Sequence, residues 1–456
     1  MSENSNNVQD SLFPEYLNGK ITCKPDAVHE PIDGGYPMAP GQLYPTEAGT
    51  LFHAGNILIA LVGLPATSKT LLAVAMTRYT RWLGVRTRSF HVSEYRRHKS
   101  HKKISLNLEF EQEMVDEVIN DMKDFFENKR GQIAIFDSLN ILRSDRQNLV
   151  KLFGDINVKV LFIESILTDA ELVNENIEIA LRSNQYLNWR KEDAVDYYTK
   201  KLSITESQYE QITREEQCSY LKYINFGKQL IINHNNQFGY LINKIVFFLM
   251  NLRNKTSRVY LARCGRSNSD KYKDDELLND EGIRYSKVLT DLVLKRVKLN
   301  RQGKELDSES LTIWAGPRKR TIDTGMFFLE EGFTLQERSQ LKQLQPGNVV
   351  DLSFEEIQSK FPKEYVEYLK DPYHYRFSRA ESYHDLAVRM EPLLLELEHM
   401  KRDVLIIAHE STLRILYGYL LACTSVDVPK LEFSRYVLTE ITFGPFSNTV
   451  ERIPIK

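Results

Sequence analysis

Short runs of apolar residues alternate with longer amphipathic segments along the chain. Residues 57–62 (ILIALV) form an unbroken apolar run, and residues 69–83 carry apolar side chains at helical spacing. Further strand-length apolar runs occur at residues 131–136 and 159–163, with helical patterns between them. Because strands that alternate with helices form parallel sheets, the pattern predicts an α/β fold with a doubly wound parallel sheet.

The pattern changes twice along the 456 residues, which are too many for one ordinary domain. Residues 1–50 are rich in Asn, Ser, Pro and Gly and show little periodicity, so we predict a polar, disordered tail. Residues 51–254 form the predicted first domain, which an amphipathic helix at 241–252 closes. A new apolar strand at 258–262 then begins a second α/β domain, predicted over residues 255–456.

Composition narrows the class of protein. The chain is 42% hydrophobic and 27% charged, which is typical of a globular protein with real cores. Its net charge of −2 gives no reason to expect a polyanionic partner, and the basic run at residues 95–103 lacks interleaved aromatic residues. The first residues are polar, and the apolar run at 246–250 is too short to span a bilayer. We therefore expect a cytoplasmic protein that binds neither nucleic acid nor membrane.

The first candidate site directly follows the first apolar run. Residues 63–70 read GLPATSKT, the phosphate-binding pattern GxxxxGK[ST] with Ser68 in place of its second glycine. In that pattern, backbone N–H groups surround the phosphates, Lys69 reaches the β- and γ-phosphates, and the Thr70 hydroxyl binds Mg²⁺. A chance Lys-Thr pair in a strand–turn–helix is the alternative. The predicted ATP-binding residues are Gly63, Leu64, Pro65, Ala66, Thr67, Ser68, Lys69 and Thr70.

Ser68 and Asp137 decide what this loop can do. If the backbone at Ser68 requires a positive φ, a residue other than glycine costs roughly 1–3 kcal/mol. Asp137 ends the apolar run 131–136, a position suited to binding Mg²⁺ or activating an attacking hydroxyl, although it could also be a turn aspartate. We predict Lys69 and Asp137 as the catalytic residues. The basic run 95–103 either holds a sugar phosphate or is a solvated loop.

The second half carries its own ordered motifs. Arg263-Cys264-Gly265 ends one apolar strand, Arg320-Thr321 follows a second, and His409 ends a third. Apart from Cys264, this order resembles the histidine phosphatase superfamily, in which a histidine takes up the phosphoryl group and arginines neutralise the phosphate oxygens. The resemblance implies a histidine-phosphatase-like (phosphoglycerate-mutase-like) α/β domain.

Both halves together resemble one family, the bifunctional 6-phosphofructo-2-kinase/fructose-2,6-bisphosphatases, over nearly everything after the tail. GLPATSKT is similar to the family's GLPARGKT, IFDSLN to its FDATN, and residues 373–398 to its YRYP–GESYEDL–EPVIMELE block. The resemblance implies a P-loop kinase domain that uses ATP and Mg²⁺, a sugar-phosphate substrate and a homodimer. Association with an active paralogue is the alternative partner, if the chain is not catalytic. It also implies that Asn176 contacts ATP and that the sugar phosphate is bound by Arg96, Arg97 and Arg182.

The departures from the family concentrate on catalytic positions. Cys264 replaces the histidine nucleophile, Asp270 replaces a phosphate-binding asparagine, and Val350 stands in place of the catalytic acid. A residual phosphatase pocket is predicted from Arg263, Cys264, Arg320, Arg376, Arg379 and His409. In the kinase half, Leu139 and Thr205 replace sugar contacts. Two hypotheses stay open: a 6-phosphofructo-2-kinase without phosphatase activity, and a pseudoenzyme that binds a nucleotide or sugar phosphate as a sensor or partner.

Overall fold

The computed structural model describes Gly41 and residues 55–99, 108–181, 190–233, 239–253, 257–303, 305–444 and 447–456. The predicted tail, residues 1–50, therefore lies outside the described residues except for Gly41. The chain divides into two compact units between Leu252 and Arg253, and each unit is built on its own sheet.

Six strands and seven helices make up the described part of the first unit. The strands are β1 (Asn56–Val62), β2 (Thr87–His91), β3 (Ile133–Asp137), β4 (Val158–Ile166), β5 (Ser219–Ile224) and β6 (Gln229–Asn233). The helices are α1 (Lys69–Trp82), α2 (Val92–Lys99), α3 (Leu108–Glu127), α4 (Arg143–Gly154), α5 (Ala170–Leu181), α6 (Lys191–Gln208) and α7 (Tyr240–Asn251). The sheet order is β2-β3-β1-β4-β5-β6, with β1 to β5 parallel and β6 antiparallel to β5.

This topology confirms the predicted parallel sheet and shows where the strand order reverses beside β1. Residues 57–62 are buried, as expected for a central strand covered on both faces. Strand β1 pairs with β3 on one side and β4 on the other, although neither follows it directly in the chain. Ligands of such sheets bind at the carboxyl ends of the strands where the strand order reverses. Here that place lies after Val62, at the start of the GLPATSKT loop.

The second unit has a sheet of similar size. Its strands are β7 (Arg258–Arg263), β8 (Leu311–Ala315), β9 (Leu335–Glu337), β10 (Asp403–Ala408), β11 (Val437–Thr442) and β12 (Thr449–Pro454). Its helices are α8 (Asp280–Asn300), α9 (Lys319–Thr324), α10 (Met326–Glu330), α11 (Phe354–Lys360), α12 (Pro362–Lys370), α13 (Tyr383–His399) and α14 (Glu410–Leu420). The sheet order is β12-β11-β7-β10-β8-β9, in which β11 and β12 run antiparallel to their neighbours.

The central strands of this second sheet bring its motifs together. Strands β7 and β10 pair in parallel, with Arg263 opposite Ala408, so Cys264 and His409 follow at the same sheet edge. Among the described residues, no helix is long and apolar enough to cross a bilayer. Nor do three His, Cys, Asp or Glu side chains converge as a metal-binding cluster in the part of the chain that the structure describes.

Candidate functional site

The loop between β1 and α1 has a backbone that favours glycine at three positions. Gly63, Ala66 and Ser68 have φ angles of 141°, 64° and 63°. A β-carbon at Gly63 would lie 2.6 Å from the carbonyl oxygen of Ser165, so only glycine fits there. Ser68 precedes α1 in the left-handed region and its side chain does not cap the helix. The substitution therefore carries backbone strain of about 1–2 kcal/mol, as the sequence analysis anticipated for a positive φ.

Lys69 holds the loop in its turn. Its ammonium group donates to the carbonyl oxygens of Gly63 at 2.8 Å and Leu64 at 2.6 Å, while the side chain is almost fully buried. Burial lowers the pKa of Lys69 to about 8; Asp137 opposes this shift and Lys201 adds to it. Near neutral pH, Lys69 is therefore a buried cation whose described hydrogen-bond partners, these two carbonyl groups and the Thr67 hydroxyl at 3.4 Å, are all uncharged.

Thr70 and Asp137 meet beside this lysine. The Thr70 hydroxyl donates to Asp137 Oδ2 at 2.6 Å, and His91 Nδ1 lies 2.7 Å from the same oxygen. Burial alone would raise the pKa of Asp137, but the hydrogen bonds from His91 and Thr70 and the charge of Lys69 lower it overall. A hydroxyl and an ionised carboxylate are the hard oxygen ligands that Mg²⁺ prefers, so Thr70 and Asp137 fit this ion.

Residues distant in sequence support the loop from behind. The amide of Asn176 on α5 donates to the Ala66 carbonyl at 2.9 Å, and the Ser165 hydroxyl donates to the Thr67 carbonyl at 2.6 Å. The Tyr198 side chain on α6 is hydrogen-bonded to the backbone of Ala66. Asn176 was predicted to contact ATP; in this structure its amide contacts the loop itself.

The structure does not describe the side chains of the predicted sugar-phosphate residues. Arg96 and Arg97 lie on α2, which begins directly after β2, but their side chains are outside the described part. Arg182 lies outside the described residues. On α6, the Thr205 hydroxyl donates to the carbonyls of Lys201 and Leu202 within its own helix.

In the second unit, a carboxylate lies between the arginines of the predicted phosphatase pocket. Asp270 Oδ1 is 2.6 Å from Arg320 Nη1, and its Oδ2 is 2.8 Å from Arg435 Nη2. Arg320 also donates from Nε to His409 Nε2 at 3.1 Å. Because arginine can only donate, His409 Nε2 must accept and carries no proton in this arrangement. The pocket is thus assembled and contains its own anion.

A second carboxylate, that of Glu410, pairs with two further arginines in this unit. Glu410 lies 3.3 Å from Arg263 and 2.9 Å from Arg414, and all three side chains are buried. Cys264 is buried, and its backbone N–H donates to the Ala408 carbonyl. Three of the positions predicted for a phosphate pocket, Arg263, Arg320 and His409, therefore belong to networks of internally paired groups.

The other two arginines of the predicted pocket, Arg376 and Arg379, are exposed at the protein surface. Arg376 is largely exposed and pairs with Asp385, while Arg379 is exposed with a φ of 60°. Asp351, which follows Val350, accepts a hydrogen bond from the backbone N–H of Tyr272 at 2.9 Å. Neither arginine contacts Arg320 or His409 among the described hydrogen bonds.

An open cleft of roughly 820 Å³, counting space open to solvent, lies in the second unit. It is lined largely by aromatic and aliphatic side chains, including Tyr272, Tyr368 and Tyr383. Its charged lining residues, among those the structure describes, are Asp351 and Glu381. A cleft with acidic and without basic lining residues is poorly suited to a doubly phosphorylated sugar.

The fold and the loop define a P-loop phosphotransferase domain followed by a histidine phosphatase fold. The family model of 6-phosphofructo-2-kinase matches residues 45–256, and that of the histidine phosphatase superfamily (branch 1) matches residues 259–455. The kinase family generally uses ATP and Mg²⁺.

Curated relatives agree with this class. A Saccharomyces cerevisiae protein provisionally named a 6-phosphofructo-2-kinase/fructose-2,6-bisphosphatase is 55% identical, over 94% of this chain and 89% of its own. Isoform 4 of that enzyme is 29% identical in Rattus norvegicus and 28% in Homo sapiens, each over 93% of this chain and 89% of the relative. The chain belongs to the 6-phosphofructo-2-kinase/fructose-2,6-bisphosphatase family.

His91 and Arg435 lie in the two candidate sites, although neither was predicted from the sequence. His91 ends β2 and is the register partner of Asp137 on β3, so the sheet itself brings the two side chains together. Arg435 reaches Asp270 from the segment before β11. A polar residue closing an apolar strand was an available signal for His91. No local pattern marked Arg435, because its partner is far away in the sequence.

Proposed function

We propose that this chain is an ATP-dependent 6-phosphofructo-2-kinase that forms fructose 2,6-bisphosphate, and that its second domain no longer hydrolyses that product. The observation that carries the kinase half is the convergence of Lys69, Thr70 and Asp137 at the carboxyl end of the central strands. This arrangement supplies a cation for transferring phosphate and oxygen ligands for a metal.

Lys69 stabilises the transferring phosphoryl group in this proposal. Its ammonium group exchanges the carbonyls of Gly63 and Leu64 for phosphate oxygens, so no ion pair has to break. Bound Mg²⁺ would be held by Thr70 and Asp137 and would neutralise charge on the β- and γ-phosphates. The start of α1 adds its positive dipole to the same place.

Asp137 orients the attacking hydroxyl by accepting its hydrogen bond, and the proton of that hydroxyl passes to solvent as the new P–O bond forms. An effective general base has a pKa near the working pH, whereas the pKa of Asp137 is lowered below that of an ordinary aspartate. Arg96, Arg97 and Arg182 hold the sugar 6-phosphate in this proposal, which rests on the family resemblance. Lys201, close enough to Lys69 to lower its pKa, adds positive charge on the same side.

Loss of hydrolysis follows from the residue at the nucleophile position. Cys264 is 1% exposed, and a thiolate there would need a phosphate cradle. Cysteine phosphatases supply that cradle with a C-x5-R loop, in which an arginine stands six residues after the nucleophile. In this chain that residue is Asp270, whose carboxylate would repel the substrate.

The direct test incubates the purified full-length protein with Mg·ATP and fructose 6-phosphate and measures fructose 2,6-bisphosphate. We expect product from the wild-type protein and none from Lys69→Met. A parallel assay supplies fructose 2,6-bisphosphate and measures released phosphate, where we expect no release. ATP binding without product would overturn the kinase proposal, and phosphate release would overturn the loss of hydrolysis.

A non-catalytic role is the second candidate, and the left-handed Ser68 favours it. A strained residue at the loop position next to Lys69 narrows the space for phosphates. Such a pseudoenzyme would bind a nucleotide or sugar phosphate in the cytoplasm and act as a sensor or as the partner of an active paralogue. Nucleotide binding without turnover in the same assay would support this role.

A further inference from the structure

The pocket of the second unit contains a carboxylate where an anionic ligand would lie. Each oxygen of Asp270 contacts a different arginine, Arg320 at 2.6 Å and Arg435 at 2.8 Å. Both arginine side chains are at least nine-tenths buried, whereas the Asp270 side chain is 22% exposed at the mouth. Two oxygens between two guanidinium groups reproduce the contacts that arginines make with a phosphate.

The backbone holds Asp270 in this position. Its φ of 55° is left-handed, a conformation that aspartate tolerates better than most residues. The Ser267 hydroxyl accepts a hydrogen bond from the Asp270 backbone N–H at 3.1 Å, which closes the turn. The carboxylate is therefore tethered inside the pocket with little freedom to leave.

The surrounding charges are paired as well. Glu410 serves Arg263 and Arg414, and Glu281 lies 3.4 Å from Arg266 at the surface. His409 Nε2 accepts from Arg320 and so cannot donate to a ligand from that atom. Removal of the Asp270 charge would therefore take from Arg320 and Arg435 the carboxylate that now lies between them.

We propose that the second domain contains a latent anion-binding site, specific for inorganic phosphate or a phosphate monoester, which Asp270 keeps closed as a tethered anion. In the wild-type protein the domain rejects phosphorylated ligands, so sugar-phosphate sensing is confined to the first domain. This inference deepens the proposed loss of hydrolysis and does not depend on kinase turnover.

The test replaces Asp270 with asparagine, which keeps the shape and removes the charge. We expect D270N to bind inorganic phosphate at least about tenfold more tightly than the wild-type protein, by calorimetry at constant ionic strength. Phosphate should also raise the melting temperature of D270N and leave that of the wild-type protein nearly unchanged. The matched control is Asp274→Asn, a nearby carboxylate that contacts Ser269 instead of an arginine.

Because the proposed function gives the P-loop of the first domain a phosphate site as well, both measurements are repeated in a Lys69→Met background. The gain caused by D270N should persist there, because it arises in the other domain. If D270N fails to fold, the double variant D270N/R435Q replaces it in the test. The net charge at positions 270, 320 and 435 is then the same as in the wild-type protein. That double variant should still bind phosphate more tightly than the wild-type protein, since the Asp270 carboxylate no longer occupies the space beside Arg320.

Equal phosphate affinity of folded D270N and wild-type protein would overturn the inference, as would tight phosphate binding by the wild-type second domain. The outcomes separate this inference from the proposed function. Hydrolysis of fructose 2,6-bisphosphate by the wild-type protein would defeat both claims. Absence of hydrolysis together with no phosphate gain in D270N would defeat only the latent site.

Discussion

The two candidate pockets hold their positive charge in opposite ways. In the first unit, neutral carbonyl groups of Gly63 and Leu64 hold Lys69. In the second unit, Asp270 pairs with Arg320 and Arg435 through its two oxygens. Each site has buried cations at the carboxyl end of a central parallel strand, yet only the first offers its charge to an incoming anion.

The difference follows from the energy of exchange. A phosphate that replaces the carbonyl groups gains a charge–charge interaction with Lys69, while each uncharged carbonyl loses only its hydrogen bond to the ammonium group. A phosphate that replaces Asp270 must displace an anion already paired in a poorly solvated place, so little is gained. A pocket can therefore keep its arginines and still be closed to the ligand they would suit.

Removal of the available cation should have the largest effect. Lys69→Met should reduce formation of fructose 2,6-bisphosphate by about 10³-fold or more, because the transferring phosphoryl group loses its buried cation. The control Lys129→Met removes an exposed lysine that pairs with Asp124 and should leave turnover unchanged. Residual activity within tenfold of the wild type would contradict the role of Lys69.

Loss of the carboxylate beside that lysine should come next. Asp137→Asn should lower kcat by roughly 10²- to 10³-fold, because the group that orients the hydroxyl and would bind Mg²⁺ loses its charge. Steady-state kinetics at saturating Mg·ATP measure the effect. Asp124→Asn, an exposed aspartate outside the site, is the control. A change confined to KM would show that Asp137 acts in binding alone.

The internal pairing of the second pocket can be broken at Glu410. Glu410→Gln should lower the free energy of unfolding of the second domain by about 3 kcal/mol, because Arg263 and Arg414 lose their buried counter-ion. Urea denaturation followed by tryptophan fluorescence measures this. Glu451→Gln, at an exposed pair with Arg296, should change stability little, and kinase turnover should be unaffected by either variant. Equal stability of both variants would count against the pairing.

The pH dependence of nucleotide binding should report on Lys69. Its pKa is about 8, so the cation is present at pH 7 and largely lost at pH 9, and ATP affinity should fall roughly tenfold between them. Calorimetric titration across this range measures the fall. Lys201 lowers the pKa of Lys69, so Lys201→Met should shift the fall to higher pH. Constant affinity up to pH 9.5 would contradict this assignment.

The same shift has a consequence for stability. Between about pH 8 and 10.5 the native state binds fewer protons at Lys69 than the unfolded chain does. The unfavourable contribution of this group is therefore full below pH 8. This contribution disappears as the pH rises toward 10.5. The free energy of unfolding should therefore rise over the same pH range in which ATP affinity falls.

The smallest effect should come from relieving the loop. Ser68→Gly should stabilise the first domain by about 1 kcal/mol, because glycine adopts the left-handed backbone without strain. Strain relief acts on free and bound protein alike, so a gain in ATP affinity would measure the crowding caused by the side chain. Ala66→Gly is the matched control at the loop's other left-handed residue. No stabilisation in either variant would show that the loop is unstrained.

The local features of both domains could be predicted from sequence. Strands β1, β3 and β4, the start of α1 at Lys69 and the second α/β domain were all expected, because hydrophobic period and loop composition are short-range signals. The strain at Ser68 was predicted on condition of a positive φ, which the structure supplies. The tail at residues 1–50 and the function of Arg182 stay predictions.

Sequence alone determined the family of this protein, its two folds and the loop that would hold ATP, since these depend on contiguous residues. Tertiary structure decided which charges meet. His91 reaches Asp137 because β2 and β3 are paired in register, and Asp270 reaches Arg320 and Arg435 because the second sheet brings distant loops to one edge. Pairings between residues tens of positions apart leave no local pattern in the sequence. In the second unit, such a pairing of Asp270 with Arg320 and Arg435 closes the pocket, whereas in the first unit Lys69 stays available to an anion.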